Sequence, residues 1–413
     1  MESLHFMRER FPSLKQQGPD GNPYIFFDNP AGTQVPQSVI DAVSHYYETM
    51  NANYGGYFIT SQRNDVALAS ARQRVADFIN APRADEIVFG PNMTTLNFAL
   101  SRAIARTLSP NSEIVVTRLD HDANIRPWVA IAEDLGLKVR WVDIRESDCM
   151  LDLSSLEAAL TEQTRIVATV HASNAVGTIN PTKQITEMAH AVGALSIVDA
   201  VQSAPHIPLD VQELGCDFLL CSAYKFYGPH IGIMWGRYDL LADLPVYKLL
   251  PSKDIPPYRW ETGTLSFETI AGVRAAIDHI ADCADDRPIA AYTGDVLVLK
   301  QAMHRIQDYE QMLAHKLADG LEAIPGVQII GIRDRDRFAY RVPTIAFEKE
   351  GITPAAIAQE LAKHHIFVWN GNYYAVEIMK RLNRVANGLV RVGLAQYNTE
   401  AEIDRFLNVV ESL

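Results

Sequence analysis

Short apolar runs alternate with longer amphipathic stretches through the middle of the chain. EIVF (86–89), EIVVT (113–117), VRWVDI (139–144), RIVATV (165–170), ALSIVD (194–199) and DFLLCS (217–222) have strand length and are rich in Val and Ile. A strand that reads apolar on both faces is covered on both faces, as in a parallel sheet flanked by helices. Helices are expected between the runs, over 96–108 and around 128–135. IGIMWG (231–236) offers one more strand. The pattern predicts an α/β fold with a mostly parallel sheet.

The character changes near Asp285. QAMHRIQDYEQMLAHKLADGLEAI keeps one apolar face over many turns, predicting a long helix over 297–324 that stops at Pro325 and Gly326. VQIIG, VPTIAFE, a helix over 353–363, IFVW, LVRVG and a last helix from Thr399 follow. That order suits a smaller α+β domain. We expect a large domain over 18–285 and a small one over 286–413.

Composition narrows the possibilities. Apolar residues make up 48% and charged residues 21%, ordinary values for a globular chain. The net charge of −13, with no basic run, argues against a nucleic-acid or membrane-surface partner. No apolar run approaches the ~20 residues of a membrane span. The start, MESLHFMRERFPSL, lacks a signal-like apolar core, which points to a cytoplasmic protein. Cys149, Cys216, Cys221 and Cys283 form no Cys-x-x-Cys pair. We expect reduced, buried thiols and no metal site.

Three features carry chemistry. ALSIVDAVQSAPH puts Asp199 directly after a hydrophobic strand, where an open α/β sheet gathers its ligand. DFLLCSAYKFYGPHIG puts Lys225 after the next strand. FGPNMTTLN puts Asn92, Met93 and Thr94 between a strand and a helix. Backbone N–H groups and a hydroxyl at a helix start form an anion site. A phosphate cradle, a carboxylate and a lysine are what pyridoxal 5′-phosphate (PLP) requires. The lysine forms a Schiff base, and the carboxylate keeps the pyridine nitrogen protonated so that the ring accepts electrons. Opposite charges ~4 Å apart attract by about 4 kcal/mol at an effective dielectric of ~20, enough to hold that proton. Each feature alone is weak; their order strengthens the joint case.

DHDANIRPW, HASNAVGTINP, VDAVQSAPHIPLDV, SAYKFYGPHIG, ETGT and RVGLAQYNT stand in an order that resembles the class V aminotransferase family, and within it the cysteine desulfurase-like group. The resemblance runs from YIFFDNPAGTQVP to LAQYNTEAEID. It implies PLP-dependent transferase fold type I, with residues 1–17 packing on the small domain. It makes Lys225 the Schiff-base lysine, His121 the ring-stacking proton shuttle and Asp199 the partner of the pyridine nitrogen. It assigns Gln202 to the phenolic oxygen and Asn174 to the edge between cofactor and substrate. Thr94 and Ser222 become phosphate ligands beside Met93, with Tyr224 also at the cofactor. Gly263 and Thr264 would reach the phosphate of a neighbouring subunit, implying a homodimer with shared sites. Arg391 would clamp the substrate α-carboxylate, a bidentate role that suits a guanidinium.

The chain departs from that group on the substrate side. Tyr374 occupies the position of the mobile cysteine in IFVWNGNYYAVEIM. Asn372 and Tyr373 replace the histidines ahead of it, and Trp369 replaces an arginine. No cysteine follows Cys283. Tyr224 replaces the histidine before the lysine, and Tyr54-Gly55-Gly56 replaces a histidine-arginine pair. We expect an enzyme that binds a small L-amino acid as an external aldimine, with Arg391, Asn174 and Tyr374 at the substrate. Lys225 would remove the Cα proton, and β-elimination of a Cβ–X group would follow without persulfide chemistry. Aminotransferase, epimerase and β-decarboxylase outcomes stay open. So does a catalytically idle PLP-binding paralogue, although the joint survival of His121, Asp199, Lys225 and Arg391 speaks against it.

Overall fold

The computed structural model describes residues 4–285, 287, 289 and 292–413. Asp286, the expected start of the small domain, and residues 1–3 of the N-terminal segment lie outside them. In chain order the strands are β1 (Ile25–Phe26), β2 (Ile87–Gly90), β3 (Glu113–Thr117), β4 (Lys138–Val142), β5 (Thr164–Val170), β6 (Leu195–Asp199) and β7 (Phe218–Ser222). They continue as β8 (Gly232–Gly236), β9 (Val327–Ile330), β10 (Thr344–Lys349), β11 (Ile366–Phe367), β12 (Trp369–Gly371) and β13 (Leu389–Gly393).

Seven strands form the main sheet in the order β2-β8-β7-β6-β5-β3-β4. From β7 to β4 all neighbours are parallel, as the apolar runs require. β8 runs antiparallel to both β7 and β2. Every residue of β2, β3, β7 and β8 is buried. Helix Met93–Ala105 begins earlier than the apolar periodicity suggested, because Asn92 caps it by accepting from Thr95 N–H at 2.8 Å. Gly232 allows this cap to lie against β8, since a Cβ there would fall 2.2 Å from the Asn92 carbonyl carbon.

The second sheet is antiparallel, in the order β12-β13-β10-β9, and β1 pairs with β11 beside it. Helix Glu400–Ser412 starts at a reciprocal Thr399–Glu402 capping box. Helix Gly294–Ala323 packs against both the last helix and the helices of the first half. One apolar cluster therefore runs through both parts, from Phe226 and Ile277 to Leu313 and Phe406. The N-terminal segment is wedged between them. Phe11 meets the rings of Tyr227, His279 and Tyr397, and Arg8 pairs with Glu402 at 2.7 Å. No described helix is long and apolar enough to cross a membrane.

Candidate active site

The parallel strands deliver their carboxyl ends to one edge of the sheet. Asp199 ends β6 and Ser222 ends β7. His121 follows β3, Asn174 follows β5, and Lys225 lies in a single 3-10 turn after β7. Met93 and Thr94 open the helix after β2. Arg391 enters from the other sheet, in the middle of β13 and opposite Trp369 of β12. With Gln202, Tyr224 and Tyr374 they line one cavity of about 830 Å³. Gly263 and Thr264 do not line it. They sit on an exposed turn, where Gly263 adopts a φ of 81°.

The charges here are buried without the partners that buried charges need. Lys225 is 8% exposed, and its Nζ donates to the carbonyls of Pro30 at 2.5 Å and Ala31 at 3.0 Å. Burial and the Arg391 charge lower its pKa to about 7, against the pull of Asp199 and Asp28. Asp199 is 3% exposed and accepts from Val201 N–H at 2.9 Å; burial pushes it up to about 6. Arg391 is 4% exposed and donates to the Asn174 carbonyl at 2.9 Å, while its Nε has no partner. Burial lowers it to about 10. His121 accepts from Ala123 N–H through Nδ1 at 3.0 Å, and burial lowers it to about 4. The ring is neutral at pH 7.

The substrate-side loop closes over this floor. Tyr373 O accepts from Asn174 Nδ2 at 2.9 Å, and Tyr374 O accepts from Asp122 N–H at 2.8 Å. The Tyr373 hydroxyl donates to Leu389 O, and its ring lies 4.3 Å from the Arg391 guanidinium carbon. Tyr374 stacks on His121 with centroids 5.6 Å apart, yet remains 71% exposed. Both tyrosines have positive φ, 54° and 58°, so this turn is fixed at a conformational cost. A Cβ on Gly388 would fall 2.2 Å from backbone atoms of Gly371, so Gly388 lets the next turn pack under the loop.

Several site residues carried no usable sequence signal. The Pro30 and Ala31 carbonyls that hold Lys225 are backbone atoms, which any residue supplies. Asp28 is pushed up to about 6 by burial, and its Oδ1 is unpartnered. Asp120 lies fully buried beneath the site, accepting from Thr117 Oγ1 and from Asn124 Nδ2 at 2.6 Å. Burial, with the Asp199 charge adding, pushes it up to about 8. It stands in the DHDAN block, where His121 drew the attention. Met93 N–H, expected free for an anion, donates to Ser222 Oγ at 3.0 Å. That arrangement leaves the Ser222 hydroxyl hydrogen for the anion instead.

The residues fit PLP. Asp199 is a buried carboxylate facing a cavity with no paired cation among the described residues, and Asn174 Oδ1 and one end of the Gln202 amide are buried without partners on the cavity wall. A helix start and the Ser222 hydroxyl offer the anion end. Fold and site together define a PLP-dependent enzyme of fold type I.

Residues 25–406 match the family profile described as Aminotransferase class-V. The chain belongs to that family, and within it is cysteine desulfurase-like. A protein of Streptomyces coelicolor described as a probable cysteine desulfurase is 33% identical over 423 residues, covering 98% of this chain and 96% of that one. Another so described, from Mycolicibacterium paratuberculosis, is 34% identical over 422 residues; this chain spans 58% of its length and 98% of itself is covered. Among solved structures, the apo cysteine desulfurase from Thermococcus onnurineus NA1 superposes with a TM-score of 0.87 at 28% identity, covering 100% of this chain and 98% of that one.

Proposed function

We propose that the protein cleaves a Cβ–X bond, C–S above all, of a small L-amino acid by β-elimination, without carrying sulfur on a cysteine of its own. The observation behind this reading is the loop over the site, which holds Tyr373 and Tyr374. All four cysteines are buried, and none lines the cavity. Burial pushes the thiols of Cys149, Cys221 and Cys283 up to about 12, far from a reactive thiolate at neutral pH.

In this reading Thr94 and Ser222 hold the phosphate, Asp199 the ring nitrogen, and His121 the ring face. Bound there, PLP supplies an electron sink for charge developed at the substrate Cα. Arg391 fixes the α-carboxylate and excludes water beside it. Lys225, with a pKa lowered to about 7, takes the Cα proton. Asn174 and Tyr374 border the departing group.

The names of the relatives favour a second reading, cysteine desulfuration. One incubation separates the two. With L-cysteine, β-elimination consumes water and gives pyruvate, ammonia and sulfide in equal amounts. Desulfuration gives alanine and a persulfide. Alanine with thiol-releasable persulfide would overturn the elimination reading; keto acid formed only with an amino acceptor would make it an aminotransferase, and a D-enantiomer an epimerase.

The dimer belongs to the same reading. Tyr57, Phe58, Ile59, Tyr247 and Leu250 are exposed apolar residues that a second copy would cover. Thr264 would then complete the partner's phosphate site. Thr264→Ala should weaken PLP binding, and unchanged binding would remove that role.

A further inference from the structure

Gln202 of the cavity wall is continued behind it by a sealed polar group, His206, Glu310 and Thr344, that has no part in the chemistry above. Gln202, His206, Glu310 and Thr344 are each no more than 2% exposed. Gln202 and His206 lie in the turns after β6, Glu310 on helix Gly294–Ala323, and Thr344 at the start of β10. His206 Nδ1 is 2.8 Å from Glu310 Oε2. His206 Nε2 is 3.3 Å, and Thr344 Oγ1 3.2 Å, from the Gln202 amide nitrogen as it is placed. Gln202 Oε1 is left without a partner. Oxygen and nitrogen of an amide have the same shape, so the surrounding hydrogen bonds decide which is which.

We propose that His206, Glu310 and Thr344 form a bracket that turns the Gln202 amide nitrogen toward the cavity, to donate to the phenolic oxygen of the bound cofactor. The proposal rests on the placement of Gln202 at that oxygen. A phenolate needs a donor, so Oε1 must face the bracket. It then accepts from the Thr344 hydroxyl and from His206 Nε2–H. Glu310 keeps a hydrogen on Nε2. A carboxylate beside a neutral imidazole would be a net negative charge sealed in the core, which burial disfavours. One added proton, shared between Nδ1 and Glu310, makes the pair neutral. Nδ1 is thereby satisfied, and Nε2 retains its own hydrogen. Burial raises Glu310 while His206 lowers it, consistent with sharing. Tyr227, Tyr397 and Cys283 also face Glu310, each held neutral by burial. His206 and its partners are positioning residues, acting through Gln202.

The test reads the visible absorption of the PLP-loaded protein against pH. His206→Phe removes the Nε2–H that the Gln202 oxygen accepts from, and leaves that oxygen free to turn to the cavity. That oxygen favours the protonated lysine–cofactor link, so the midpoint of its band should rise by about one pH unit. Thr344→Val, which removes the other donor, should do the same. In a Gln202→Leu background neither should add a further shift. Unchanged midpoints in both bracket variants, with Gln202→Leu shifted, would overturn the bracket alone. An unshifted Gln202→Leu would refute the placement of Gln202, and the bracket with it. Nitrogen-15 histidine labelling of the wild-type protein gives a readout that needs no variant: an unprotonated His206 Nε2 contradicts the proposal.

Discussion

The floor and the roof of the cavity are built on opposite principles. On the floor, Lys225, Asp199 and Arg391 are buried ions without side-chain counter-ions among the described residues, and each pKa is displaced toward the neutral form. The roof, residues 369–374, is aromatic and partly exposed, and is tied down mainly by backbone hydrogen bonds. A floor of unpaired ions is unstable unless a ligand supplies the missing charges. A tied aromatic roof needs no ligand to be stable, and in the proposed function it borders the substrate. The contrast separates what makes this chain a PLP enzyme from the part that, in the proposed function, selects the substrate.

The largest effect should come from the floor. Lys225→Ala is expected to lower kcat by about 10³-fold or more, measured under PLP saturation, because the Cα proton loses its base. Residual turnover within tenfold of wild type would move proton transfer elsewhere. Next comes Arg391→Ala. Losing a charge-assisted pair worth about 2 kcal/mol should raise KM roughly 30-fold with kcat little changed. An unchanged KM would deprive the guanidinium of its carboxylate.

PLP capture by the apoprotein sharpens the floor's electrostatics. Below about 7 Lys225 is an ammonium without a free electron pair; above it the amine is free. The rate of absorbance growth on adding PLP should therefore rise with pH through about 7 and then level off. An ordinary lysine would keep gaining toward ~10.4. A rise continuing to pH 9 would show that burial does not lower this amine.

The roof should yield the smallest effect. Tyr374→Ala removes one stacked ring from His121, worth about 1 kcal/mol, so kcat/KM should fall only about fivefold. The cofactor spectrum should stay as it was. A changed spectrum would mean that roof and floor are one unit, and the contrast would fail.

Much of the floor was legible because its parts sit at strand ends. The runs ending in Asp199 and Ser222 announce both the strand and the side chain that leaves it. The exit of β8 antiparallel to β7 was not legible, since IGIMWG reads the same in either direction. Asp120 and Asp28 were missed for a different reason. A carboxylate in a turn is ordinary until burial removes its water. The roof was legible only as a difference: Tyr374 stands where a cysteine was expected, but its stacking on His121 depends on a contact across 253 positions of chain that no local pattern encodes.

Sequence alone determined that strands of Val and Ile would be buried on both faces, and that a lysine, a carboxylate and a helix start would follow them. Those are local properties, fixed by side-chain period and capping chemistry. Only the tertiary structure decided that Arg391 comes from another sheet to face Lys225, and that Pro30 and Ala31 hold the amine. It also decided that Gln202 rests on a histidine–glutamate pair. Those depend on long-range packing and on the loss of water around each charge, which follow from the whole chain and not from any one segment of it.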